Sequence, residues 1–204
     1  MKNVFLFGLM LVLVACGQDN GAASGAANQQ ADSYQGVNID DFELEDVPGT
    51  DWQKATKYGT DGNVVESGYF KNGKKMGPWL TYQAQSGELF PRTLSNYVDG
   101  YLNGLHMQFG QGGQVELVAN YKTNNLHGKY AKFRFGRKLE EANYQDGKLD
   151  GVYNVYNVRD GKLSTSAEYK DGVQHGFFRT YNTDGEITTE YIYENGEKVG
   201  GGVK

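Results

Sequence analysis

Cysteine, proline and histidine are scarce in this chain, with one, three and three copies among its 204 residues. The single thiol, Cys16, has no second cysteine with which to close a disulfide inside the chain. Glycines interrupt every stretch between Trp52 and Gly200 too often for a stable helix to form there. A basic excess is also missing. The chain carries 25 Asp and Glu against 20 Lys and Arg, a net charge of −5, which offers no field to draw in a phosphate backbone and speaks against nucleic acid as a partner. No apolar run reaches the roughly 20 residues that a membrane-spanning helix needs. The longest, Val4 to Ala15 behind Lys2, has the length of the hydrophobic core of a secretion signal. Catalytic signatures are missing as well: there is no Gly-x-Ser-x-Gly, no His-Glu-x-x-His and no phosphate-binding glycine loop closed by Lys-Ser or Lys-Thr. The expectation is a protein that is not an enzyme and takes no cofactor.

Glycine and tyrosine are abundant instead, with 29 and 15 copies, and one frame places most of them. Counting from Tyr169, Gly172 stands at plus three, Gly176 at plus seven, Phe178 at plus nine and Tyr181 at plus twelve. The same frame starts at Phe70, Tyr97, Tyr121, Tyr144 and Tyr193, and with Tyr169 in its place the intervals are 27, 24, 23, 25 and 24 residues. Such self-similarity marks a repeat protein. Plus three is glycine except at Asn124, the next best tolerated residue at positive φ. Plus nine carries Trp79, His106, Tyr130, Tyr153 and Phe178, and plus twelve Tyr82, Phe109, Phe133, Tyr156 and Tyr181. Minus two is small at Gly68, Ser95, Ala119, Ala142 and Ala167.

Within a unit, Ser166 to Lys170 and Phe177 to Tyr181 are β-prone and Asp171 to Gly176 reads as the turn between them, which predicts a hairpin. Asn182 to Gly185 then returns the chain to the next unit. The fold class expected is all-β: an elongated, single-layer antiparallel β-meander of successive hairpins, roughly 50 to 60 Å long at about 4.8 Å per strand. Each ring is expected to stack on its counterpart one repeat away, beside the small residues at minus two. The frame resembles the MORN repeat in its bacterial variant, from about Tyr58 to Gly201. That resemblance implies a scaffold. Bacterial relatives often bear an antitoxin-like label and eukaryotic ones a proposed contact with lipid, and neither label supplies a mechanism.

Four parts follow in order. Residues 1–15 read as a signal peptide. Leu13-Val14-Ala15-Cys16 resembles the bacterial lipobox, which implies cleavage before Cys16 and lipidation of its thiol, and Gly17 in place of Asp then implies the outer membrane in a cell with two membranes. Residues 16–35 are the lipidated cysteine and a small, polar tether, too poor in apolar side chains to repay ordering. In residues 36–57, Asp40, Asp41, Glu43, Glu45 and Asp46 alternate with Val37, Ile39, Phe42, Leu44 and Val47. The spacing lacks the glycine and terminal glutamate of a helix–loop–helix calcium site. It suits a cap that lays apolar residues on the first repeat and protects the sheet edge. Residues 58–204 are the repeat domain.

His127 and His175 share the plus-six position two repeats apart, roughly 20 Å from each other, so the histidines predict no metal site. Lys129, Lys132, Arg134, Arg137 and Lys138 gather in one repeat beside aromatic residues and form the candidate binding patch, a cluster that reads equally as a solvated face. The function expected is a lipid-anchored cell-envelope protein whose sheet binds another protein or a cell-wall polymer. The alternative is an immunity or antitoxin-like protein that neutralises a toxin at the envelope. Open sheet edges leave the oligomeric state undecided.

Overall fold

The computed structural model describes residues 37–204, so the signal peptide, Cys16 and the tether lie outside the described residues. The described chain forms one open antiparallel sheet of 15 strands. In chain order these are β1 (Glu43–Asp46), β2 (Trp52–Tyr58), β3 (Val64–Lys71), β4 (Lys74–Gln85), β5 (Glu88–Val98), β6 (Tyr101–Phe109), β7 (Val115–Lys122) and β8 (Asn125–Arg134), followed by β9 (Arg137–Gln145), β10 (Lys148–Leu149), β11 (Gly151–Tyr156), β12 (Leu163–Lys170), β13 (Val173–Tyr181), β14 (Ile187–Glu194) and β15 (Glu197–Val203). Each pairs with the next, save that β10 pairs only with β9 and β11 takes its place in line. The fold is therefore a meander of successive hairpins, as the repeat frame predicts. The 27-residue interval is the longest because the β4–β5 hairpin runs on to Gln85 and Glu88 before turning.

The turns differ from the six-residue loop expected at Asp171 to Gly176. Strand β13 already begins at Val173, and the turn is two residues, Asp171 at φ 52° and Gly172 at φ 84°. Positive φ at both positions is the geometry whose twist matches that of the flanking strands. Asp99-Gly100 and Asp146-Gly147 repeat it. Gly176, at φ 107°, belongs not to the turn but to a bulge inside β13. Across that bulge the register passes from Tyr169 opposite Gln174 to Ala167 opposite Phe178, leaving two extra residues on β13. A bulge bends the strand and re-aims its side chains. The residue at minus one serves it: the Asn96 and Asn143 side-chain amides donate to the carbonyls of Asn103 (2.7 Å) and Asp150 (3.0 Å).

One face carries the core. The small row is buried, with Ala119 at 0% exposure, and a Cβ at Gly68 would fall within the indole of Trp79. The rings do not stack on their counterparts. Instead the plus-nine ring of one unit packs edge-on against the zero ring of the next, as in Trp79 with Tyr97 (6.5 Å between centroids), Tyr130 with Tyr144 (5.6 Å) and Tyr153 with Tyr169 (6.4 Å). The strand-to-strand register sets this offset, and edge-to-face packing suits the ring quadrupoles better than face-to-face stacking. At the N-terminal end Phe42 meets Phe70 (5.4 Å) and Trp79 (5.7 Å), with Val37, Ile39 and Leu44 around them. The acids of that segment face outward and pair with Lys54, Lys57 and Lys71.

Candidate functional site

The face opposite the rings carries a row of side chains that crosses the sheet strand by strand. Register sets Leu80 beside Leu94, then Met107, Val118, Ala131, Glu141, Asn154, Ser166, Arg179 and Glu190 in turn. The row is apolar as far as Ala131 and polar from Glu141 onward. Ala131 is also the smallest residue at plus ten, where the other full repeats place Leu80, Met107, Asn154 and Arg179. The missing volume opens a groove of about 520 Å³ across β7, β8, β9 and β11, lined by Val118, Lys129, Phe133, Lys138, Glu141 and Asn154 among others. Its size is that of a small-ligand or side-chain pocket.

Glu141 is the fixed point of the groove. Its carboxylate accepts from Lys138 Nζ at 2.6 Å, from Asn154 Nδ2 at 3.2 Å and from the Tyr156 hydroxyl. These donors, Lys138 first, hold the carboxyl at about 2, so it stays ionised and acceptor-only near neutral pH. Burial, then the Glu141 contact, pushes the Tyr156 hydroxyl up to about 12. Asn154 Oδ1 is buried and has no hydrogen-bond partner among the described residues.

The structure divides the sequence-predicted patch. Lys129 and Lys138 both line the groove. Lys138 sits opposite Phe133 and Lys129 opposite Asn143, which sets them at opposite ends, about 13 Å apart along the strand. Lys132 lies on the ring face, 3.6 Å from Glu140, whose carboxylate also accepts from Tyr153. Arg137 donates to the carbonyls of Val158 and Arg159, tying down the neighbouring loop. Arg134 rests 5.3 Å from the ring of Phe135. Phe135 is the residue that sequence reasoning missed. It occupies the first position of the β8–β9 turn at φ 51° and is 83% exposed. The signal was present: Phe135-Gly136 stands where a turn of this kind calls for Asn-Gly or Asp-Gly.

The histidines are scattered. His127 pairs with Asp146 at 3.2 Å on the surface, and among the described residues no three His, Cys, Asp or Glu side chains come together as a metal site would require. His106 Nδ1 lies 2.8 Å from the Ser95 hydroxyl, and the other ring nitrogen faces the Gln108 amide at 3.3 Å rather than a carboxylate. The Tyr121 ring covers the imidazole edge-on at 5.7 Å, and burial lowers its basicity. The pair of Ser95 and His106 is a piece of the ring ladder.

No protein-family model matches the chain, and no curated protein sequence matches it. The MORN resemblance thus rests on the repeat frame alone. Among solved structures, the crystal structure of TarM is 17% identical, covers 54% of this chain and 21% of its own, and aligns with a TM-score of 0.34. A point mutant of S. aureus TarM in complex with fondaparinux, α-GlcNAc-glycerol and UDP is 16% identical over 52% of this chain and 21% of its own, again with a TM-score of 0.34. The chain matches about a fifth of the length of those proteins, and a likeness so partial carries no argument about function.

Proposed function

We propose that this protein is a lipid-anchored component of the bacterial cell envelope that uses its repeat sheet as a non-catalytic binding surface for a partner protein or a cell-wall polymer. The observation that carries the reading is the groove at Ala131, on a sheet face that no second layer covers among the described residues, with the exposed Phe135 at the adjoining hairpin tip. Exposed aromatics beside a formed depression are the anchors on which interfaces concentrate their energy. The groove's polar groups favour binding over chemistry, because Glu141 is saturated by three donors and held ionised. A carboxylate in that state neither donates a proton nor accepts one readily near neutral pH.

The test is affinity capture from crosslinked cells with three forms: native, Cys16→Ser and Ala131→Met. Met107 already occupies the equivalent position in another repeat, so the last variant fills the groove with a side chain the fold accommodates. One partner is expected with the native form, less of it without the anchor, and none with the groove filled. Recovery of the same proteins with all three forms removes the reading.

A further inference from the structure

We propose that the groove binds an extended acidic peptide segment of a partner protein, seating one apolar side chain over Ala131 and, two positions away, one carboxylate at Lys129. The proposal rests on the reading of the sheet as a binding surface and narrows it to one kind of partner.

The groove lies in mid-sheet, where β8 is already paired on both sides, with β7 and with β9. No strand can be added there, so a ligand is held by side chains. Along β8, residues 129, 131 and 133 face the same way, and alternate side chains of a strand are about 6–7 Å apart. An extended peptide has that same spacing, so one laid over β8 delivers two alternate residues to Ala131 and Lys129 together. Ala131 has Val118 opposite it and Phe133 beyond it on the groove wall, which suits an apolar side chain.

Charge selects the second residue. The Lys138 ammonium is balanced by Glu141 at 2.6 Å, whereas Lys129 lines the same groove with no carboxylate partner among the described residues. The excess charge is therefore positive and sits at the Lys129 end. A polyanionic polymer fits less well, since it would meet the fixed charge of Glu141 in mid-groove and bring nothing apolar to Ala131.

The experiment is fluorescence anisotropy on the full chain with a labelled eight-residue Thr/Ser peptide bearing one Leu and, two positions on, one Glu. Saturable binding is expected. Replacing the probe's Glu with Lys should weaken it roughly fivefold or more, Lys129→Glu should reverse that preference, and Ala131→Met should abolish binding while the far-ultraviolet dichroism stays unchanged. The proposal is overturned by no saturation up to millimolar probe, by equal binding of the Glu and Lys probes, or by tighter binding of a polygalacturonate oligosaccharide. Cellular capture that is lost in Ala131→Met while the Glu probe fails would leave the docking surface standing and eliminate the acidic peptide.

Discussion

Ser95 and His106 depart from the repeat frame together, and each accounts for the other. Elsewhere the register sets alanine beneath an aromatic ring, as in Ala119 opposite Tyr130 and Ala167 opposite Phe178. Here Ser95 stands opposite His106, and its hydroxyl meets the imidazole at 2.8 Å. Ser95 is buried, so either lone change removes this hydrogen bond from the interior of the ladder. Ser95→Ala should destabilise the protein by about 1 kcal/mol, and His106→Tyr by a similar amount. The double variant Ser95→Ala/His106→Tyr recreates the pair used by the neighbouring repeat and should recover most of the loss. Urea unfolding of the four proteins closes the cycle, and strictly additive losses would show that the two residues act independently. Asn124 is the other departure, and it too is filled for a reason. Besides adopting φ 66°, its side-chain oxygen accepts from the Leu102 backbone at 2.7 Å, a contact glycine lacks.

The hairpin is the element that builds the sheet, and the β8–β9 hairpin, like the β7–β8 hairpin with Thr123 at φ 48°, has a turn that contradicts its own geometry. A bulky side chain at positive φ is strained, and Phe135 recovers little by burial. Phe135→Asn turns Phe135-Gly136 into the favoured Asn-Gly pair. We expect a gain of about 0.5–1 kcal/mol, read as a higher urea midpoint with an unchanged slope, together with weaker partner capture. A gain in stability with capture intact would mark Phe135 as incidental to binding. The hairpins themselves were legible in the sequence because glycine at positive φ and alternating aromatics leave a periodic trace. The two-residue turn was not, because Gly172 and Gly176 look alike in sequence although one closes a turn and the other relieves a bulge. The groove was legible only in part. Five cations in one repeat suggest a patch, but alternation along β8 sends Lys132 to the ring side while Lys129 lines the groove together with Lys138, which a register shift sets opposite Phe133. Ala131, which creates the depression, carries no chemistry to flag it.

At the scale of the whole molecule the rings are a continuous support, since each unit's plus-nine side chain packs on the next unit's zero ring and no unit buries its aromatics alone. Six ladder tyrosines, Tyr97, Tyr121, Tyr130, Tyr144, Tyr153 and Tyr169, and Tyr156 on the opposite face are raised above the ordinary phenol value of 10.0, with burial the largest cause in each. A pKa raised by folding means that the native state favours the protonated phenol. The stability this contributes is complete below pH 10 and is lost as pH climbs through the folded values, which reach about 12 at Tyr144 and Tyr156. Alkali should therefore unfold the sheet between about pH 10 and 12. Because a phenolate at one ring unseats the ring packed against it, loss should spread from unit to unit, and phenolate absorbance should rise in one steep step together with the loss of β-sheet dichroism. A gradual rise from pH 10 with the dichroism intact would mean that the rings ionise in place and that the ladder is not what holds neighbouring repeats together.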